Sequence, residues 1–146
     1  MNLDIALWEA TLRLGLASVL GGIIGWEREQ RGKAAGLRTN MIVCLGAATF
    51  TLLADSLVPT FASADPTRIV TGVATGIGFL GAGSILKSDS GVKGVTTAAS
   101  IWVVGAVGAA CGIGGYAVAG IATAMTLLIL WVVGWIEKRG SHLDGT

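Results

Sequence analysis

Charge is what this chain has least of. Charged residues make up 13% of its 146 positions, about half the share usual in a soluble domain. Residues 95–136 contain no Asp, Glu, Lys or Arg at all. A bilayer-spanning helix needs about 20 apolar residues, so this run is about two spans long. Gly112, Gly114 and Gly115 sit where the turn between them belongs. The run places the chain in a membrane, with lipid as its main solvent. Proline is scarce too, with two residues, and a chain so apolar and so poor in Pro is not disordered. Two cysteines, Cys44 and Cys111, give no disulfide framework; both fall in apolar stretches and read as small packed hydrophobes. The single histidine, His142, supports neither a zinc spacing nor a Ser/His/Asp set, so no enzyme is expected. Met1 to Asp4 lack the basic segment of a cleavable signal peptide, so the first apolar segment reads as retained.

Apolar residues, by contrast, make up 53% of the chain, mean hydropathy is +0.74, and glycine occurs 23 times. That is about twice the usual share of glycine, with no collagen-like period. Glycine is common in membrane helices because it lets backbones approach. Five spans are expected, at about 5–26, 38–58, 68–86, 95–112 and 115–136. They form an all-α membrane domain over 1–140, followed by a short tail, 141–146. Arg28, Arg31, Lys33 and Arg38 fall in the first loop, Lys87 and Lys93 in the third, and Lys138 and Arg139 after the last span. With five spans these all lie on one side, which the positive-inside rule makes cytoplasmic. The N-terminus is then outside and the C-terminus cytoplasmic. Pro59 and Pro66 mark the second loop, and Asp65-Pro66 reads as a helix start. Trp8, Trp26, Trp131 and Trp135 lie near segment ends, where indoles favour the interface. Trp102 lies nearer mid-span and reads as a packing residue.

Small residues recur four apart at Gly21/Gly25, Gly72/Gly76, Gly108/Gly112 and Gly120/Ala124, a spacing that permits close helix packing. The third segment holds Gly72, Gly76, Gly78, Gly81 and Gly83, and a bend or break is expected around Gly78–Gly83. Gly76 to Gly81 spell G-x-G-x-x-G, but no strand or soluble βαβ unit surrounds them, so a dinucleotide site is excluded. The P-loop echo from Gly81 to Ser88 lacks the glycine before Lys87. Two readings stay open: tight helix packing, or a broken helix whose carbonyls hold an ion.

Charged groups near or in spans need a reason. Glu9 and Arg13, four apart, can pair on one helix face. The loop from Glu27 to Arg38 is the densest polar cluster. Its bases can face anionic lipid, while Glu27 and Glu29 point to internal ion pairs or a cation contact. Asp65 reads as a helix cap or, with Arg68, as an outer cation contact. Mg²⁺ needs few carboxylates, so Glu27 and Asp65 are its possible contacts. No other cofactor and no nucleic-acid partner is expected.

In order along the chain stand Gly21-Gly22-Ile23-Ile24-Gly25-Trp26-Glu27-Arg28-Glu29, Arg31-Gly32, Ala35-Gly36-Leu37-Arg38-Thr39, Asp65-Pro66-Thr67-Arg68, Gly76-Ile77-Gly78-Phe79-Leu80-Gly81-Ala82-Gly83 and Val92-Lys93-Gly94-Val95-Thr96-Thr97-Ala98-Ala99-Ser100-Ile101-Trp102. Together these resemble the motifs of the MgtC/SapB family of small bacterial inner-membrane proteins, with Val95 where Leu is usual. The resemblance implies a five-span helical domain. It is closer to short SapB-like members, because MgtC-related members add a C-terminal ACT-type domain. It also implies a role in growth under low Mg²⁺ and in virulence, through regulation of other membrane proteins such as the proton-driven ATP synthase.

The expectation is a non-enzymatic inner-membrane regulator; the alternative is a small transporter or channel for Mg²⁺ or another cation. Glu27, Arg28, Glu29, Arg31, Arg38 and Thr39 are the expected cytoplasmic contact residues, with Asp65 and Arg68 outside. Gly76, Gly78, Gly81, Gly83, Thr96, Thr97 and Trp102 are the expected packing or pathway residues. Expected partners are lipid, other inner-membrane proteins and a second copy of the chain, as a dimer.

Overall fold

The computed structural model describes residues 3–57, 65–89 and 91–140. Five helices follow in order: α1 (Leu3–Gln30), α2 (Leu37–Leu57), α3 (Pro66–Ala82), α4 (Val95–Gly112) and α5 (Tyr116–Gly140). Between α3 and α4 runs an antiparallel hairpin of β1 (Leu86–Ser88) and β2 (Gly91–Lys93), with Lys87 opposite Val92. Pro59 and the tail 141–146 lie outside the described residues.

The all-α expectation holds. Among the described residues four helices are long and apolar enough to cross a bilayer: Ala6–Gln30, Leu37–Asp55, Val95–Gly112 and Tyr116–Trp135. The fifth, α3, has 17 residues. At 1.5 Å per residue it is about 25 Å long, short of a hydrocarbon core of about 30 Å. The third segment, expected over 68–86, therefore ends early. Of the bend or break expected around Gly78–Gly83, it is the break that occurs: the helix stops at Ala82. The helix runs unbroken to Ala82, where the amides of Gly83, Ser84 and Ile85 bond the carbonyls of Phe79, Gly81 and Ala82 at 2.9–3.1 Å. These tightening bonds close the last turn, and Leu86 then enters a strand. The hairpin was not expected, although Asp89-Ser90-Gly91 is turn chemistry. Gly94 returns the chain to α4 with φ +91°, and a Cβ there would overlap the Ser84 carbonyl oxygen. No other residue fits both conditions.

Helices consecutive in the chain alternate in direction. The end of α1 meets the start of α2 where Glu29 reaches Leu37, and the start of α1 meets the ends of α2 and α4 where Arg13 reaches Asp55 and Gly112. The end of α3 packs on the start of α4 at Gly81 and Ala98. The start of α1 and the end of α5 thus lie at opposite ends of the bundle. The core lies between α1, α2 and α4 and is built of small groups: Ala17, Ile24, Cys44, Ala48, Val104, Val107 and Cys111 are all fully buried. Both thiols are free, as packed hydrophobes should be.

Two of the four small-residue pairs make that core close. A Cβ at Gly21 would stand 2.7 Å from the Asn40 carbonyl oxygen, and one at Gly25 2.8 Å from the Leu37 Cα, so α1 rests on the backbone of α2. A Cβ at Gly108 would overlap the Cys44 carbonyl oxygen, and one at Gly112 the Thr51 hydroxyl and the Ala48 carbonyl, so α4 does the same from the other side. The Thr51 hydroxyl also donates to the Ala109 carbonyl across that contact, at 3.1 Å. The pairs Gly72/Gly76 and Gly120/Ala124 behave differently: Gly72, Gly76 and Gly120 meet nothing within 4 Å. Large apolar side chains meanwhile point outward, among them Ile42, Phe79, Ile121 and Trp131. In water such a surface would drive aggregation; in lipid it is the ordinary exterior. Hydroxyls on the same surface are satisfied inside their own helices, as Thr49, Thr71 and Thr75 donate to the carbonyl four residues back.

Candidate functional site

Polar groups gather at the two ends of the bundle. At the end where α1 begins, the Arg13 guanidinium contacts Glu9 and donates from Nη1 to Asp55 at 3.1 Å and to the Gly112 carbonyl at 2.8 Å. It is the hub that ties α1 to α2 and to the α4–α5 turn, with a side chain only 13% exposed. The expected Glu9–Arg13 pair is present. Asp55 was missed. Its signal is topological: alternating spans bring the end of the second beside the start of the first, and Asp55 is the acid there.

At the opposite end, the Glu27 carboxylate lies between two guanidinium groups. Its Oε2 is 3.3 Å from Arg28 Nε, and its Oε1 contacts Arg31 Nε. The Glu27 side chain is 10% exposed and that of Arg28 4%. These are charge contacts, not aligned hydrogen bonds, and Arg28 Nη1 is buried without a hydrogen-bond partner among the described residues. A cation placed at Glu27 would meet two positive charges, so the geometry does not fit Mg²⁺ there. Glu29 plays a different part. Its Oε2 accepts from the Leu37 amide at 2.7 Å and satisfies the start of α2. Asn40, which sequence reasoning passed over, is fully buried and donates from Nδ2 to the carbonyls of Ala35 and Gly36, both at 2.8 Å. It folds the 31–36 turn onto α2. Arg38 and Thr39 lie on the first turn of α2, both exposed. The cluster expected here thus divides into a buried ion triad, a helix cap and a more open edge.

Asp65 is the N-cap of α3; its Oδ1 accepts from the Thr67 hydroxyl at 2.6 Å and the Thr67 amide at 2.9 Å. The Thr67 hydroxyl and then its amide hold the Asp65 carboxyl below the usual carboxylate range. Arg68 is exposed on the same turn of α3. Among the described residues no group of three or more His, Cys, Asp or Glu is placed to hold a metal ion.

The packing residues also divide. Gly81 is buried, and a Cβ there would stand 3.2 Å from the Ala98 carbonyl oxygen, while Gly76 and Gly78 meet nothing within 4 Å. Gly83 caps α3. Thr97 is buried in the first turn of α4, and Thr96 is exposed. Trp102, expected to pack, is 54% exposed on the outer face of α4. The open Gly72 and Gly76 line an apolar groove of about 560 Å³ between α2 and α3, with Gly46, Phe50, Val73 and Ile77.

Outward apolar helices and buried end charges define a multi-pass α-helical membrane protein. The family model of the MgtC family matches residues 14–139, and the chain belongs to that family. The chain is 44% identical over 129 residues to an Escherichia coli (strain K12) protein named "Putative magnesium transporter YhiD", covering 85% of this chain and 60% of that one. To Protein MgtC of Brucella abortus (strain 2308) it is 46% identical over 113 residues, 77% of this chain and 46% of the relative. To Protein MgtC of Salmonella typhimurium (strain 14028s / SGSC 2262) it is 42% identical over 119 residues, 82% and 48%. The chain thus spans about half to three fifths of the length of these curated relatives. No solved structure matches the chain.

Proposed function

We propose that the chain is a non-enzymatic regulator in the bacterial inner membrane that acts through helix contacts with other membrane proteins. One observation carries this reading. The acidic side chains at both ends are engaged by arginines or helix amides, as Glu9, Glu27, Glu29, Asp55 and Asp65 all are. The groove between α2 and α3 is apolar and open instead. Charge holds the bundle together, and the surface left for others is one that a lipid-embedded helix can meet. The setting is growth under low Mg²⁺ and virulence, the ATP synthase is one partner class, and the chain acts as a dimer. In this reading α3 and the hairpin complete a fifth crossing, with α1 starting outside and α5 ending in the cytoplasm. The basic residues Arg31, Arg38, Lys87 and Lys93 then share the cytoplasmic side, in line with the positive-inside rule.

A photoreactive residue at Phe79, which is 78% exposed on α3, tests the reading in cells grown at low Mg²⁺. Cross-linking to a second membrane protein, absent from a probe at Val118 on α5, supports it. Cross-links to lipid alone at both positions contradict it. The name of the E. coli relative favours a second reading, a Mg²⁺ transporter, and flux into proteoliposomes separates the two.

A further inference from the structure

Arg13 and Arg31 are eighteen residues apart along the chain, five helical turns, and so share a face about 27 Å apart. Both turn toward α5. Arg13 lies 3.5 Å from where a Gly114 Cβ would stand, just before α5 begins, and Arg31 lies against Gly134 near its other end. The two helices therefore run parallel, and the arginines bracket roughly the hydrocarbon thickness of a bilayer. Their partners differ. Arg13 meets two carboxylates and a carbonyl, so its charge is more than balanced. At the other end one carboxylate among the described residues, Glu27, is shared between Arg28 and Arg31. That triad keeps a net positive charge in a place where uncompensated charge is costly.

The excess charge opens onto a cleft. Arg31, 28% exposed in its side chain, borders an open space of about 540 Å³ between α1 and α5, whose walls include Ile23, Trp26, Ala124, Leu127 and Trp131. It also borders a neighbouring cleft with Trp131, Val132 and Trp135. Apolar walls and two indoles lead to the Arg31 guanidinium, with Gln30 and the ion-paired Glu27 carboxylate beside it. An anionic amphiphile has this same order of parts.

We propose that the α1–α5 cleft binds one acidic phospholipid. Its phosphate sits on the Arg31 guanidinium, a bidentate oxyanion binder, and an acyl chain lies along Ile23, Ala124 and Leu127. The negative headgroup supplies the charge that the triad lacks. The inference stands whether the protein regulates or transports.

Native mass spectrometry of the full chain, released from detergent after exchange with an equal mixture of phosphatidylglycerol and phosphatidylcholine, tests it. One retained phosphatidylglycerol, favoured at least about fivefold over phosphatidylcholine, is expected. Arg31→Gln should abolish the preference, and Arg31→Lys should keep part of it by charge alone. Ala124→Trp fills the apolar wall and leaves all charges in place, so it should lose the bound lipid while the fold persists by circular dichroism. Equal retention of both lipids by the natural chain overturns the proposal. So does an unchanged preference in both the Arg31→Gln and Ala124→Trp proteins.

Discussion

Replacing Gly108 by alanine puts one methyl group where the structure has none to spare. The added Cβ would overlap the carbonyl oxygen of Cys44 and stand 3.0 Å from the Ala47 Cβ. Backbone cannot rotate away as a long side chain can, so α4 must lift from α2 or one helix must shift along the other. The lift also disturbs Gly112, one turn on, which rests on Ala48, and the bond from Thr51 to Ala109. Overpacking of a close core costs roughly 1–3 kcal/mol, and a contact on backbone belongs at the upper end. A tenfold change in the unfolding constant corresponds to about 1.4 kcal/mol, so Gly108→Ala should raise that constant about 100-fold. Gly72→Ala is the paired control: nothing lies within 4 Å of its added methyl, and helix propensity alone favours alanine by up to about 1 kcal/mol. Reversible unfolding in mixed micelles with rising SDS, followed by circular dichroism, reads both. Equal stability of the natural chain and Gly108→Ala, or equal losses in the two variants, refutes the claim that bare glycine faces seat α4 on α2.

Glu27→Gln should destabilise the bundle by about 3–5 kcal/mol, because it leaves the buried Arg28 charge uncompensated; the same micelle titration measures it. Glu29→Ala removes the acceptor for the Leu37 amide and should cost about 1 kcal/mol, the usual worth of a helix cap. Arg13→Gln should cost roughly 1.5–3 kcal/mol, through loss of charged hydrogen bonds to Asp55 and Gly112. The Asp65 carboxyl is held below its ordinary value by Thr67. Its contribution to stability is therefore complete above the unfolded value of about 3.9 and is lost as pH falls through the depressed folded value. Thr67→Val should move the Asp65 carboxyl titration in NMR back up toward that ordinary value.

Much of this fold was legible because lipid imposes a simple rule on it. The uncharged run 95–136 had to be two helices, and the run between Arg38 and Asp55 a third. Gly21/Gly25 and Gly108/Gly112 announced the two closest helix contacts, since small residues four apart are where backbones meet. The same spacing at Gly72/Gly76 marks a smooth face on which nothing of this chain lies within 4 Å. The end of α3 was hidden for a related reason: glycine permits a bend, a stop or a close approach equally well, and only the Ala98 backbone and the hairpin decide among them. Of the polar residues, Glu9 with Arg13 was readable at helical spacing. Asp55, forty-two residues from Arg13, needed the helix order first. Glu27 and Glu29 look alike in the sequence, yet helical rotation gives one to a pair of arginines and the other to the start of α2.

Mg²⁺ flux into proteoliposomes of the purified chain, under an imposed membrane potential, tests the central claim most directly. The protein must first be shown folded by circular dichroism and inserted by protease protection. Regulation through helix contacts predicts flux no greater than that of empty liposomes at every potential. Potential-dependent Mg²⁺ entry that scales with the amount of protein would contradict it and establish transport instead.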